Sequence, residues 1–529
     1  MSVSGTTIAL ALFMLWWILI LSLDRRGILE KYNMQAYGPV LMIRTRKGLS
    51  FLDDASRFRT FWWSFGTTGV FFMLAGMLVI FGLVIISDFF MLTNMPAPTV
   101  VNEPRNWLLI PGVNEFIPAW GWLGLLVTLI VHELAHGILA RREGIKVKSM
   151  GLLLALIPIG AFAEPDEEEL FGSKDGNKPS IISSEARNRI LAAGVMSNFI
   201  VAAIALALFF GPVLSVFAPT GNNVVITEVL DQFKESGIKE EMVVTAINGV
   251  SVRSLDDIFS IKENGDTITV DVLDRGVMRE FTLRVVEGAL IKDVLDGYPA
   301  STAKIEPGSR IIRMNDVVIH DAGDFYDFME DTKPEETVSV TTVDDSGREE
   351  TFEVKLIQYP YSEKEEKGFL GVVVYNAPFG MVWEFPAETY LSNLKKLPGS
   401  FFGWILLMAL PVIPVTQGGF GGFGDWLMQL YTPAIGGIWA FYVANALFWI
   451  GWINFYAGLF NCLPAVPLDG GYVFREMANK LTGLFTSNPE RQKKITDTLT
   501  LGFALFILAS IIFMLVGPYL VRYLRLNFG

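Results

Sequence analysis

Residues 125–144 read LLVTLIVHELAHGILARREG. They lie in an apolar run that opens near Ala119, and they carry His132, Glu133 and His136 in the spacing HExxH. Positions four apart share one face of a helix, so both imidazoles can reach one metal ion. Glu133 sits one residue along, near enough to activate a water at that ion. The chain has 3 histidines, and this pair uses two of them. Ionisable groups inside an apolar span are costly to keep and mark function by default. The competing reading is a chance pair near a helix end that bonds to neighbouring carbonyls.

An apolar run of this length is a membrane span, and the rest of the chain agrees. Of 529 residues, 51% are hydrophobic, with 40 Phe and 13 Trp, and the mean hydropathy is +0.42. That composition belongs to a polytopic α-helical membrane protein. The net charge is −13, and much of the acidic surplus falls in the middle of the chain. No basic region suited to nucleic acid is present. The single cysteine, Cys462, rules out an internal disulfide framework and any multi-cysteine metal site. The first apolar run, Thr6–Leu23, leads into Asp24, Arg25 and Arg26 without a small-residue cleavage site, and reads as a retained anchor.

Positive loops stay in the cytoplasm. The segment bearing Arg25, Arg26, Lys31, Arg44, Arg46, Lys47, Arg57 and Arg59 is therefore expected inside, followed by a span at Gly69–Leu92. The loop Thr93–Pro118 has one basic residue, Arg105, and is expected outside. The HExxH span then enters from outside and is followed by Arg141, Arg142, Lys146 and Lys148. At ~1.5 Å per residue, His132 lies about 20 Å below Ala119, so a bound metal would lie roughly 10 Å from the cytoplasmic face of a ~30 Å core. Gly151–Ala163 is apolar but too short to span and is interrupted by Pro158 and Gly160. It is either a core strand or a re-entrant segment lining the site. A further span follows at Ile190–Phe217.

Residues 220–360 change character, to apolar alternation, turns and many charges, and are expected outside. Ala246–Val252 (AINGVSV) is echoed by Arg313–Ile319 (RMNDVVI), and Asp257 and Asp324 fall at equal distances after the two asparagines. Two small, strand-dominated domains of similar build follow, with a hairpin at Asn248-Gly249. The fold class is thus an α-helical membrane protein with inserted β-rich α+β soluble domains. After a charged linker (Ser362–Lys367) comes Ser400–Val415, apolar but broken by Pro411 and Pro414 and expected to be interfacial or re-entrant. A span at Gly437–Phe460 ends in Asn461–Gly471 (NCLPAVPLDGG), a basic loop bears Arg475, Lys480, Arg491, Lys493 and Lys494, and a last span covers Leu499–Leu520.

A tetrahedral catalytic zinc takes three protein ligands and a water. The best third candidate is Asp469, placed after two prolines and before two glycines, where the chain has left regular helix. The alternative is that Asp469 caps the helix that follows it.

HExxH on one span and N-x-x-P-x-x-P-L-D-G-G on a later one resemble the paired signatures of the site-2 protease family, the intramembrane zinc metalloproteases. The resemblance is to the human-type branch, with extra N-terminal spans, Leu109–Asn114 (LIPGVN) ahead of the HExxH span, and PDZ domains between the two motif-bearing halves. It implies a cofactor of one Zn²⁺ ion, with His132, His136 and Asp469 as ligands and Glu133 as general base. It aligns Gly194 and Asn198 with the family's GxxxN motif, and Asn461 with the asparagine that opens the LDG motif. Asn198 is then a substrate-binding residue or a buried hydrogen-bonding one, and Asn461 a substrate-binding residue or a loop cap. Glu287–Leu290 (EGAL) is a candidate carboxylate loop of the second PDZ-like copy; His320 reads as a surface residue and Cys462 as a packed thiol.

The implied organisation is N-terminal spans and cytoplasmic loop at 1–118, a catalytic half with HExxH and GxxxN at 119–218, PDZ-like domains at 219–287 and 288–360, a linker with an interfacial or re-entrant segment at 361–436, and a catalytic half with the LDG motif at 437–529. The implied activity is cleavage of membrane-spanning protein substrates within the lipid bilayer of a cell membrane, after a first cut by another protease. The zinc site is expected near the cytoplasmic face. The PDZ-like copies either bind C-terminal ends of substrates or only exclude bulky ones. The rival readings are a catalytically idle PDZ-bearing scaffold and a zinc transporter. Glu133 argues against the first. The second lacks an inverted repeat of broken helices.

Overall fold

The computed structural model describes residues 5–45, 49–94, 96–107, 110–172, 179–261, 267–344, 346–361 and 366–528. Arg46, Lys47, Leu109 and part of the 362–367 linker lie outside the described residues. The chain divides into two compact units. One combines Met1–Val213, Phe401–Gly422 and Tyr442–Gly529; the other combines Leu214–Ser400 and Phe423–Phe441.

In the first unit, a helix at Gly5–Arg25 covers the expected anchor. Among the described residues, five helices are long and apolar enough to cross a membrane: Arg59–Asn94, Gly121–Arg142, Ser184–Val213, Ile438–Asn461 and Pro489–Leu520. They leave large apolar side chains such as Leu78, Phe89 and Leu505 exposed, as lipid-facing helices do. The helix Ser184–Leu208 begins six residues ahead of the expected span. Ser183 caps it, accepting a hydrogen bond from the Ala186 N–H, and its first turns carry Arg187 and Arg189, paired with Glu476 and Glu143. Helices meet through glycine here, because lipid supplies no hydrophobic force between them and contact depends on close approach. A Cβ at Gly69 would lie 3.0 Å from the Ala192 carbonyl oxygen, and one at Gly124 would lie 2.5 Å from that of Trp449.

Gly151–Ala163 is not one strand but most of a hairpin. It belongs to an antiparallel sheet of β1 (Met34–Tyr37), β2 (Val40–Thr45), β3 (Val147–Ala155) and β4 (Ile157–Pro165), in that order. The two N-terminal strands fall in the segment that the sequence presented only as a basic loop. β4 is the outer strand beside the HExxH helix. Ser400–Val415 holds a helix of 9 residues, Phe401–Ala409, about 13 Å long and too short to cross a ~30 Å core. The chain then turns back, with the Phe420 N–H donating to Leu410 and Trp449 Nε1 to Gly421. The expected basic loop after Asp469 is mostly helix: Asp469–Gly483, then the first turns of Pro489–Phe528. Val473, Ala478 and Thr482 are buried along one side of the shorter helix, a spacing hidden among its charged neighbours.

The second unit contains two modules of like build. Asn248 and Asn315 both adopt the left-handed conformation at a hairpin, and each accepts a backbone N–H through its side chain, from Thr269 and Ser339. Asp257 and Asp324 close the N-termini of the matching helices, Leu255–Ser260 and Ala322–Glu330. The modules are interleaved rather than consecutive. The first sheet takes its outer strand, Gly380–Glu384, from beyond the second module, paired with Val224–Val229. The second sheet takes Val372–Val374, paired with Ala289–Val294. Strands of three to five residues carry almost no periodicity, so the sequence showed this region as linker. Glu287–Leu290 leads into a core strand of the second sheet. His320 is exposed and bonded to Asp324 at 2.8 Å.

Candidate active site

The HExxH helix, Gly121–Arg142, presents two chemistries on two faces. His132 and His136 share one; Glu133 and Gly137 share another, about 100° round the axis. The histidine face meets the helix Ser184–Leu208, and the glutamate face meets β4.

Gly194 makes the first contact possible. A Cβ there would lie 2.5 Å from His136 Nε2 and 2.6 Å from His132 Cε1. The two imidazoles therefore rest directly on a stretch of helix without side chain. One turn earlier, the Ile190 carbonyl accepts the His136 Nδ1–H at 2.8 Å. That bond leaves Nε2 as the lone-pair nitrogen. One turn later, Asn198 is fully buried, with its amide nitrogen 3.1 Å from His132 Nδ1.

Asp469 opens the helix Asp469–Gly483 but does not cap it. The cap position falls on Leu468, which offers no side-chain bond. The Asp469 carboxylate turns to the histidines instead: Oδ2 lies 3.1 Å from His132 Nε2 and 3.2 Å from His136 Nε2. The two Nε2 atoms are 3.1 Å apart. Two glycines set this placement. A Cβ at Gly470 would lie 2.4 Å from the Cys462 oxygen, and one at Gly471 2.3 Å from the Ala465 carbonyl carbon. Only bare backbone lets the new helix start fold so tightly onto the NCLPAVPLD loop. Cys462 is packed, as expected, with its thiol on the Gly458 carbonyl.

These three donor atoms fit a metal. A tetrahedral zinc with bonds of about 2.0–2.1 Å holds its ligand atoms about 3.3 Å apart, close to the triangle here. The donor set of two imidazoles and a carboxylate suits zinc, and the three side chains are only 12–15% exposed. Glu133 lies on the adjacent face, where its Oε2 accepts the Ala163 N–H of β4 at 2.9 Å. Gly137, one turn on, lets β4 come this close: a Cβ there would be 3.3 Å from that of Ala163.

The profile of peptidase family M50 matches residues 120–397 and 412–509. The chain belongs to peptidase family M50, the site-2 proteases. M50 peptidases are zinc metalloproteases, and the matched region contains the whole His132, His136 and Asp469 cluster. An uncharacterized protein of Methanocaldococcus jannaschii is 28% identical over 281 residues, 51% of this chain and 66% of its own length. A candidate zinc metalloprotease, Rip3 of Mycobacterium tuberculosis, is 33% identical over 95 residues, 18% of this chain and 22% of its own. The chain thus spans less than two thirds of each relative.

Within this M50 site, His132, His136 and Asp469 converge, Glu133 lies beside them on the β4 side, and Asn198 touches His132. Asn461 does not join the cluster: its amide donates to the Ala457 carbonyl of its own helix at 3.1 Å, and its backbone oxygen faces Gly470. Two further groups that shape the site, the Ile190 carbonyl and the Ala163 N–H, are backbone atoms and carry no side-chain signal. Ile190 does stand four residues before Gly194, as Asn198 stands four after, and that spacing was the one available sign.

Proposed function

We propose that the chain is an intramembrane zinc metalloendopeptidase. It hydrolyses peptide bonds within or near the transmembrane helix of membrane-anchored substrates, after a first cut by another protease. The observation that carries this reading is the 3.1–3.2 Å triangle of His132 Nε2, His136 Nε2 and Asp469 Oδ2, with Glu133 adjacent in the HExxH motif.

His132, His136 and Asp469 would hold a zinc ion, which would supply Lewis acidity to acidify water and polarise a peptide carbonyl. Glu133 takes the proton from the attacking water and returns it to the leaving nitrogen as the C–N bond breaks. The Ala163 N–H holds the Glu133 carboxylate in place between turnovers. A substrate helix hides its carbonyls in i→i−4 bonds and must unwind before attack. β4 is the outer strand of its sheet and runs past Glu133, so it can pair with the extended segment and satisfy the backbone groups that lipid cannot.

The two interleaved modules are read as PDZ-like domains on the outer side of the membrane, and the zinc site as lying near the cytoplasmic face, following the positive loops. They act on substrate choice and not on chemistry. No zinc ligand or base maps to them, and a folded ectodomain would be excluded where a short stub is admitted. The test of the whole reading is cleavage of a membrane-anchored reporter by the purified chain in lipid vesicles. Activity that is lost with a chelator, restored by zinc and absent in Glu133→Gln supports it. Cleavage that persists in Glu133→Gln overturns it.

A further inference from the structure

We infer that Asn198 is a positioning residue: its carbonyl oxygen accepts the Nδ1–H of His132 and so holds that imidazole as a zinc ligand, rather than binding substrate. The inference rests on the zinc reading above.

Asn198 has no exposed surface, and its walls are protein. On one side lies His132. On another lies Gly458, where an added Cβ would sit 3.4 Å from that of Asn198 and 2.9 Å from the Phe199 ring. A substrate carbonyl has no route to the amide without parting the helices.

The register points the same way. Ile190, Gly194 and Asn198 are each one helical turn apart on a single face. His132 and His136 are likewise one turn apart on the facing helix. The Ile190 carbonyl takes the Nδ1–H of His136. Asn198, two turns on, stands opposite Nδ1 of the other histidine. Gly194, between them, makes room for both rings. The three positions form one cradle: acceptor, gap, acceptor.

The amide itself supplies the third argument. With the nitrogen facing His132, Nδ1 becomes the acceptor, Nε2 carries the proton, and no lone pair is directed at the Asp469 side. In that orientation Asn198 Oδ1 is also buried without a hydrogen-bond partner. Turning the amide over exchanges two atoms of nearly equal size. Oδ1 then accepts the Nδ1–H, and the Nε2 lone pair faces the His136 and Asp469 donors. Metal-bound histidines generally have their second nitrogen held this way.

The experiment compares Asn198→Asp and Asn198→Leu with the unaltered full chain in detergent. Zinc affinity is read by competition with a chromophoric chelator, and turnover is then read at saturating zinc. Aspartate keeps an acceptor and removes the donor; leucine removes both at similar size. The expected result is a zinc affinity within a few-fold of normal for Asn198→Asp, with turnover retained, and a loss of about 10–100-fold for Asn198→Leu. Zinc binding unchanged in Asn198→Leu overturns the inference. So does an aspartate variant that binds zinc normally but no longer turns over, because the lost donor would then be the working group. If leucine prevents folding, the aspartate variant alone decides: weak zinc binding in a folded Asn198→Asp chain refutes the acceptor role. A failure of the unaltered chain to bind zinc at all would instead sink the zinc reading.

Discussion

Gly194→Ala adds one methyl group at the point where the site has no space. The new Cβ would stand 2.5 Å from His136 Nε2, 2.6 Å from His132 Cε1 and 2.7 Å from His132 Nδ1. Ordinary contact begins at 3.4 Å, so ring atoms or helix must retreat by about 0.7–0.9 Å. Overpacking of this kind costs about 1–3 kcal/mol when the surroundings relax. Relaxation here moves the donor atoms themselves, and a metal site tolerates only about 0.2 Å of error in its bonds. We therefore expect zinc affinity to fall by at least about 100-fold, roughly 2.7 kcal/mol, with a smaller loss in melting temperature. The assay is chelator competition on the purified chain, with a thermal melt alongside. Gly82→Ala is the control. It also lies in a long apolar helix, has nothing within 4 Å of a built Cβ, and is expected to bind zinc normally. Normal zinc affinity in Gly194→Ala would refute the cradle geometry and, with it, the reason for a glycine at that position.

Glu133→Gln keeps all three ligands and removes the base, so it is expected to bind zinc normally and to lose turnover by at least about 100-fold; His136→Ala loses both, as measured by metal content and reporter cleavage. Replacing residues 221–384 with a flexible linker, so that both interleaved sheets leave whole, is expected to preserve zinc binding and to let substrates with intact ectodomains be cut. An unchanged preference between trimmed and intact substrates, with activity retained, would end the gate proposal. Lys292 binds Glu228 between the two modules and holds that carboxyl below its usual range. A depressed carboxylate pKa stabilises above the ordinary value and is lost as pH falls through the folded one. Lys292→Ala is therefore expected to lower stability at pH 7, by less than about 1 kcal/mol for so exposed a pair, and to have a smaller effect at pH 3. An equal loss at both values would mean that packing, not charge, links the modules.

What could be read in advance follows from how each element advertises itself. The spans were legible because about twenty apolar residues in a row have few other meanings. The His132, His136 and Asp469 cluster was legible because HExxH sets two of its members by helical spacing, and the prolines and glycines around Asp469 announce a break in regular structure. The interleaving of the modules was not legible. Gly380–Glu384 pairs with a strand more than 150 residues earlier, and nothing in its own composition encodes the partner. β1 and β2 were hidden for a related reason, since four to six residues between basic flanks read as loop until β3 is seen to complete them.

Glycines carry the part of the site that lies between these two cases. They stood in the sequence in motifs, at Gly194, Gly470 and Gly471, or directly after one, at Gly137, yet their meaning needed the neighbours. Each removes a side chain where a neighbour comes within about 3.5 Å: the Leu52 and Ala163 side chains at Gly137, the imidazoles at Gly194, the NCLPAVPLD loop at Gly470 and Gly471. In lipid, apolar side chains gain little by meeting one another, so steric fit and hydrogen bonds decide where a helix stops. A site assembled from a helix, a sheet edge and a turn more than 300 residues away then needs contacts that admit only one depth of approach. Bare backbone against an imidazole is such a contact. On this argument alanine should be harmful at Gly194, Gly470 and Gly471, milder at Gly137, where the nearest atom is a Leu52 methyl at 3.0 Å, and silent at Gly211 and Gly502, where an added Cβ meets nothing. Zinc binding across that set of six variants measures it, and equal tolerance at all six would show that the site is set by its ligands alone.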